Sequence, residues 1–503
     1  MLYTRMLVLM AVNLYTARIV LNALGVDDYG LYSLVGGVVI FLGVINLSMT
    51  ASTQRFLSYS HGQDEQEGVS RMFNSVLAVH LLLGIAVFII GEALGIVYVS
   101  YFLNVAPARI TAAHIVFQFS LLSFVVKTIT VPYHASIIAN ERMHVFAVCS
   151  LIVGGLQLAS ALAIIRMGGS DKLIWYAAFM FITVFVTQLC YRVYSTRNFG
   201  ECRFKRNWER KTIKEIFAFS GWNLFGSFST VAIDQGVNMT LNSFFGVAVN
   251  AARGISFQVS GAVSSLSGNM QQALNPQIVK TYAGGQQSEN HKILTSGTRL
   301  CFCLMILLAA PAFFNMEGLL SLWLGDVPDY TTGFCQWVIG IFLISSLSGC
   351  LITEAMATGN IKRYQLTVAT INIANLPLSI IALHFYHDPY ITFYLMAALG
   401  ALAFMARLWL TSRMAGFSIS SFVKGAILPS LYLTTTITVL CLVISKQLPT
   451  EGIIWLIFNC CICFLIAAGS IIAIGLTSNE RKKLIAIIKT KMPCCGQVKP
   501  EQK

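Results

Sequence analysis

Apolar residues in this chain come in long runs broken by short polar or Gly/Pro-containing stretches, and one helical crossing of a bilayer needs about 20 mostly apolar residues. Fourteen such runs are present: Arg5 to Leu24, Leu31 to Ser52, Phe73 to Phe102, Ile110 to Ala135, Val145 to Ile165, Leu173 to Val193, Ile216 to Thr240, Val247 to Leu274, Ser296 to Phe314, Thr332 to Thr358, Leu366 to Phe385, Pro389 to Leu410, Val423 to Ile444 and Gly452 to Leu476. In lipid every backbone N–H and C=O must be bonded within its own segment, so each run predicts a helix. The predicted fold class is an all-α polytopic membrane protein of 14 transmembrane helices. The run from Phe73 to Phe102 exceeds one crossing and predicts a tilted helix extending past the membrane. Met1 leads almost directly into the first run with no small-residue cleavage site, so the start reads as a span and not as a removable signal.

Lys and Arg in short loops set the orientation. With both termini cytoplasmic, 27 of the 34 Lys+Arg fall at the inner side, among them Arg55, Arg299, Arg407, the eight cations from Arg192 to Lys214 and the C-terminal tail. Only Arg109, Arg166, Lys172 and Lys446 fall outside. The stretch from Arg192 to Lys214 is the most basic loop and reads as a joint between halves. A weak internal repeat supports that division: Leu21-Asn22 and Gly25-Val26 recur as Leu241-Asn242 and Gly246-Val247, Gln54 as Gln277, and Gly62-Gln63 as Gly285-Gln286. The expected organisation is a six-helix lobe at 1–195, a basic cytoplasmic linker at 196–215, a second six-helix lobe at 216–411, two additional helices at 412–478 and a basic tail at 479–503. Parallel repeats of this kind place a ligand site around a central cavity at their interface.

Composition agrees with the pattern: 56% of residues are hydrophobic and 11% charged over 503 residues, far from the balance of a soluble enzyme. The net charge of +13 would raise the question of nucleic acid in a soluble protein, but its placement in inner loops makes it a topology signal, so no nucleic-acid partner is expected. Ten of the 13 Cys lie within apolar runs and read as small packing residues, while Cys494-Cys495 in the tail is a weak metal signal. There is no HExxH, no Walker A and no GxGxxG after a strand, and no loop is long enough for a catalytic head. Neither an enzymatic activity nor a cofactor or metal is expected.

Ionisable residues inside spans are costly in lipid and are functional hypotheses by default. They are Arg18, Glu92, Lys127, Asp234, Arg253 and Glu354. Arg18 and Arg253 would line a hydrated cationic cavity, since a guanidinium offers two parallel hydrogen bonds to phosphate and keeps its charge. Lys127 would assist, and Arg55 at the inner end of its span would attract an anionic head group. The structural alternatives are snorkelling for Arg18, an Asp234–Arg253 pair, and an ordinary positive-inside anchor for Arg55. Asp234 and Glu354 are the candidate coupling-ion sites. Pro132, Pro276, Pro311, Pro377 and Pro429 would each remove a helix donor, and Gly91 with Gly95 marks close helix packing.

Several segments resemble one family. Leu24-Gly-Val-Asp-Asp-Tyr-Gly30, Leu34-Val-Gly-Gly37 and Thr53-Gln-Arg-Phe56 look like the opening of the O-antigen and capsule flippases, the Wzx-like polysaccharide transporters. The second half agrees through Leu241-Asn-Ser-Phe-Phe245, Val249-Asn-Ala-Ala-Arg253, Leu274-Asn-Pro-Gln277, Leu322-Trp-Leu-Gly-Asp-Val-Pro-Asp-Tyr330 and Ala357-Thr-Gly-Asn-Ile-Lys-Arg-Tyr364. The resemblance implies the multidrug/oligosaccharidyl-lipid/polysaccharide exporter superfamily, with two six-helix lobes and alternating access. It implies a substrate of short glycan on undecaprenyl pyrophosphate, moved across a bacterial inner membrane with H+ or Na+ as coupling ion. Glycosyltransferases and a glycan polymerase of the same pathway would be partners, alongside membrane lipids. By span, the resemblance makes Arg18, Arg55 and Arg253 counterparts of cavity arginines in lipid II flippases. The abrupt start departs from the family pattern, which carries a short lead-in before the first span. A multidrug/cation antiporter of the same fold and a membrane glycan polymerase are the alternative readings.

Overall fold

The computed structural model describes residues 22–63, 66–97, 109–167, 171–245, 247–445, 452–478 and 480–482, with six scattered positions between 9 and 20. Most of the first predicted span, including Arg18, and the tail with Cys494-Cys495 lie outside the described residues.

All described secondary structure is helical. The first lobe contains α1 (Val26–Gly62), α2 (Gln66–Val97), α3 (Ile110–Ala139), α4 (Met143–Arg166) and α5 (Lys172–Asn198). The linker carries one short turn, Gly200–Cys202. The second lobe contains α6 (Arg210–Phe245), α7 (Val247–Ala283), α8 (Gln287–Phe314), the short α9 (Met316–Leu324), α10 (Thr331–Ser346), α11 (Gly349–Ala357), α12 (Lys362–Ile373), α13 (Asn375–Tyr386) and α14 (Ile391–Ala415). Two further helices follow: α15 runs from Ile419–Phe422 through a π-turn into Leu428–Ser445, and α16 (Ile453–Ser470) ends in a second π-turn.

Eleven of the described stretches are long and apolar enough to cross a membrane. α1 and α7, at 37 residues each, are also long enough, and α7 is polar in its second half, with Ser264, Ser265, Asn269, Gln271, Gln272 and Asn275. The second to fourteenth predicted runs therefore each coincide with a helix or a broken helix.

Two runs that read as single spans are broken. The run at 332–358 divides at Leu347 and Ser348 into α10 and α11, and the run at 366–385 divides at Ala374 into α12 and α13. Pro377 then sits in the first turn of α13, where an N–H would have no intrahelical acceptor in any case.

Two other prolines leave a carbonyl free one turn back, and a buried side chain takes each. Pro132 brings no N–H to Thr128, whose carbonyl oxygen is 2.8 Å from Nδ1 of the fully buried His80. That contact places the ring proton on Nδ1, so Thr53 Oγ1 donates to Nε2 at 2.9 Å. Pro429 brings none to Gly425, whose carbonyl accepts from Arg299 Nη1 at 3.0 Å. Arg299 also donates to both carboxylate oxygens of Glu480, at 2.7 and 2.6 Å, and so ties α8 to the segment that follows α16 and to α15. Phe302, Cys303 and Ile306 of α8 pack on Leu433, Ile437, Cys463 and Ala467 of α15 and α16. The predicted close approach at Gly91 and Gly95 is present, against Leu121 and Phe117 of α3.

The lobes meet where α1 packs on α6 and α7 and where α2 packs on α6. Met49, Phe56, Val76 and Val79 from the first lobe form one apolar cluster with Ile216, Phe219 and Ile361 from the second. α1 and α7 are the helices that the sequence repeat equates, and their equivalent ends touch: a side chain at Gly62 would run into the Lys280 carbonyl. These contacts lie toward the end of the bundle that bears the linker, called here the basic face. At the opposite face Arg109 pairs with Asp28 and, at 2.6 Å, with Asp171, joining the starts of α1, α3 and α5.

Candidate functional site

A cavity of about 500 Å³ lies inside the second lobe, walled by α6, α7, α10, α14 and the α12–α13 break. Arg253 enters it from α7 and Asp234 from α6. Arg253 Nη2 donates to Asp234 Oδ1 at 2.7 Å, Nη1 donates to Asn238 Oδ1, and the guanidinium carbon lies 4.5 Å from the centre of the Phe257 ring. The Arg253 side chain is 4% exposed and that of Asp234 40%, so the carboxylate is the more open member of the pair. The sequence reading set both residues at the interface of the lobes. The structure turns them inward because α6, which carries both hydrogen-bond acceptors, belongs to the same lobe as α7.

A second arginine lines the same cavity. Arg407 of α14, read from sequence as an inner-side anchor, faces it together with Asn372, Asn375, Ser345 and Ser348. With Arg253 and Arg407 against Asp234 alone, the charged groups of the lining sum to one positive charge. Arg407 was hidden by its place near the end of an apolar run, where a cation is ordinarily a topology marker. The legible signal was the polar pair Asn372 and Asn375 in the middle of the facing span.

Arg55 has a different position. Its Nε donates to the carbonyl of Met356 and its Nη2 to that of Ala357, both at 3.1 Å, so it caps the C-terminal end of α11 from the other lobe. Helix ends leave carbonyls unsatisfied and carry partial negative charge, which suits a guanidinium. The rings of Phe56, Tyr59 and Phe219 surround it at 4.7, 4.8 and 5.1 Å. Gly359 follows with φ of +79°, and a side chain there would meet Arg55 Nη2. The Thr53–Phe56 and Ala357–Tyr364 segments, which carry part of the family resemblance, thus meet in space. Further ties close the lobes around this point: Ser48 Oγ to the Ser220 carbonyl at 3.1 Å, Asn223 Nδ2 to the Ser48 carbonyl at 2.9 Å, and Lys280 Nζ to Glu141 at 3.0 Å.

Lys127 is exposed on α3, with no carboxylate in ion-pair distance among the described residues. Glu354 is fully buried on α11, away from the cavity. Its Oε2 accepts from Asn290 Nδ2 at 3.1 Å, and its Oε1 has no hydrogen-bond partner among the described residues. Glu92 accepts from Gln118 Nε2 at 2.9 Å.

No protein-family description and no curated protein matches the sequence. Solved structures do. A MATE protein crystallised in complex with MaD3S is similar with TM-score 0.68 and 15% identity, over 84% of this chain and 94% of that one. The outward-facing conformation of a multidrug resistance MATE family transporter of the MOP superfamily gives TM-score 0.68 and 14% identity, over 82% and 95%. A MOP superfamily transporter from Pyrococcus furiosus, described as having a binding pocket of reverse polarity that suggests a different function, gives 0.63 and 14%, over 84% and 95%. The chain is a multi-pass membrane protein with the two-lobed fold of the MATE transporters.

Proposed function

We propose that the protein is a flippase for lipid-linked oligosaccharide, carrying a glycan on undecaprenyl pyrophosphate from the inner to the outer leaflet of a bacterial inner membrane. The observation that carries this reading is an intramembrane cavity in a transporter fold that presents two arginines against one carboxylate. A net cationic cavity, with hydroxyls and amides set in a largely apolar wall, suits a pyrophosphate, which two guanidinium forks bind through parallel hydrogen bonds. Arg253 and Arg407 would hold the phosphates, with Arg18, Lys127 and Arg55 on the entry path. Both termini would be cytoplasmic, which sets the basic face toward the glycosyltransferases that supply the substrate and the opposite face toward the polymerase.

The ion pair supplies a means of coupling. Asp234 occupies the Arg253 donors that a phosphate would need. Binding H+ or Na+ at the open Asp234 carboxylate would neutralise it and release Arg253 Nη2 to the substrate; loss of the ion would restore the pair and expel the phosphate. Glu354, with one oxygen free of partners beside the α11 end held by Arg55, is a second proton site. The test is surface polysaccharide in cells lacking the native gene. Arg253→Ala and Arg407→Ala should each abolish display while the protein still inserts, and unchanged display in both would refute the cationic cavity.

A multidrug/cation antiporter is the second reading, favoured by the fold's similarity to a solved multidrug resistance MATE family transporter. Its substrate would seek an unpaired carboxylate, whereas Asp234 is bound to Arg253. Drug efflux that depends on Asp234, without a glycan phenotype, would decide for it.

A further inference from the structure

The linker between the lobes is held down and carries an unusual outer surface. Five contacts fasten it to the first lobe. Cys202 is fully buried with its thiol 3.2 Å from Ser136 Oγ, and Glu201 is met by His61 at 3.4 Å and by Asn140 Nδ2 at 3.1 Å. The Lys205 N–H donates to Asn74 Oδ1 at 2.9 Å, and the Glu209 N–H donates to Ser75 Oγ at 3.3 Å. With its backbone fixed, the segment turns Phe204 (62% exposed) and Trp208 (39%) outward. The two rings stand 6.3 Å apart with the Arg206 guanidinium 5.7 Å from the indole. Arg203, Lys205, Arg206, Arg210, Lys211 and Lys214 are all exposed around them, against two exposed carboxylates, Glu209 and Glu215.

We infer that this segment is a lipid-binding surface that inserts its two rings among the anionic head groups of the leaflet at the basic face. Three observations fit that occupant. Amphipathic rings beside Lys and Arg are the side chains that settle at a membrane–water interface. Six cations against two acids complement an anionic leaflet, whose attraction falls off within a Debye length. The segment joins the end of α5 at Asn198 to the start of α6 at Arg210, so both its ends leave helices that are long and apolar enough to cross a bilayer, which would set the rings near head-group depth. A hydrated tether between lobes would need neither the fastening nor the rings. Because the fastening is to the first lobe, the surface would fix that lobe to the leaflet while the second lobe moves.

The test uses the full chain in nanodiscs of phosphatidylcholine alone or with about 30% phosphatidylglycerol, brominated on the acyl chains or not. The emission of Trp208 is taken as wild type minus Trp208→Phe. The expected result is that brominated lipid quenches this difference signal, and that acrylamide quenches it at least twofold less in the anionic discs than in the neutral ones. The triple variant Arg203→Gln, Lys205→Gln, Arg206→Gln should lose the dependence on phosphatidylglycerol and keep normal membrane insertion. A Trp208 signal open to acrylamide and insensitive to brominated lipid in both discs would overturn the inference. So would a dependence on phosphatidylglycerol that the triple variant retains. Acrylamide protection that arises only on adding cell lysate, in either disc, would assign the surface to a soluble macromolecule and overturn it too.

Discussion

Arg55→Ala should open the basic face. The guanidinium makes two charge-assisted hydrogen bonds, both at 3.1 Å, to carbonyls of the other lobe. At about 1.5 kcal/mol net for each, their loss removes about 3 kcal/mol from the closed arrangement. The three rings near 5 Å add to this only in part, because Arg55 is half-buried and part of their attraction survives in water. At about 1.4 kcal/mol per tenfold, the ratio of open to closed molecules should rise about a hundredfold. Arg55→Lys keeps the charge but has a single donor head, which cannot reach two carbonyls in the same fork geometry, so it should recover only part of the closure.

The assay is a distance distribution between spin labels at Gln63 and Gln286, which are exposed at the equivalent ends of α1 and α7, attached through non-natural ketone side chains to spare the native cysteines. Wild type should show a short, narrow distance and Arg55→Ala a second, longer population. Identical distributions for wild type and Arg55→Ala would show that the guanidinium contributes nothing to closure, and would refute the latch.

Other outcomes follow from the same geometry. Arg299→Met should destabilise the protein by about 1–3 kcal/mol, because it leaves the partly exposed Glu480 with only its Thr477 hydrogen bond and strands the Gly425 carbonyl that Pro429 leaves free; thermal unfolding in detergent measures it. Burial acts to raise the Glu480 carboxyl, but the Thr477 and Arg299 hydrogen bonds outweigh it and hold it below its ordinary 4.5. Its contribution to stability is therefore complete above pH 4.5 and lost as the pH falls through the lowered value, and Glu480→Gln should flatten that acid limb of the melting curve. Burial pushes the Cys202 thiol up to about 12, so maleimide at pH 8 should leave it unmodified in the folded protein, and mass spectrometry of the linker peptide would reveal any detachment. Arg109→Ala should cost about 1 kcal/mol through loss of its partly exposed pairs with Asp28 and Asp171, read as a lower melting temperature with insertion unchanged.

The length of the apolar runs carried most of the fold, because in lipid a span must be both apolar and internally bonded. The breaks at Leu347–Ser348 and Ala374 escaped the reading, since a broken helix and a continuous one are equally apolar. The charged residues were visible, but their partners were not. Arg253 and Asp234 were recognised as a possible pair, whereas nothing in the chain order signals that Arg55 reaches Met356 and Ala357, some three hundred positions away. Arg299 and Arg407 illustrate a sharper limit. Both stand near span ends where a cation ordinarily reports orientation; one is buried against Glu480, and the other faces the cavity.

The break between α10 and α11 bears on how the two arginine sites communicate. α10 contributes Ile341 and Ser345 to the cavity wall near Arg253, while α11, beyond Ser348, presents the carbonyls that Arg55 holds. The short α11 is fixed from two further sides, by Asn275 of α7 to Thr353 at 2.7 Å and by Asn290 of α8 to Glu354. A rigid, continuous helix would force the cavity wall and the latch to move as one body. The two-residue joint lies between the cavity wall and the latch: α10 and α11 both pack against α7 and α14, and Ser348, at the joint itself, lines the cavity. A ligand large enough to press on Ser345 and Ser348 would act directly on the element that Arg55 clamps, so the occupied cavity and the closed basic face share one short helix as their mechanical link.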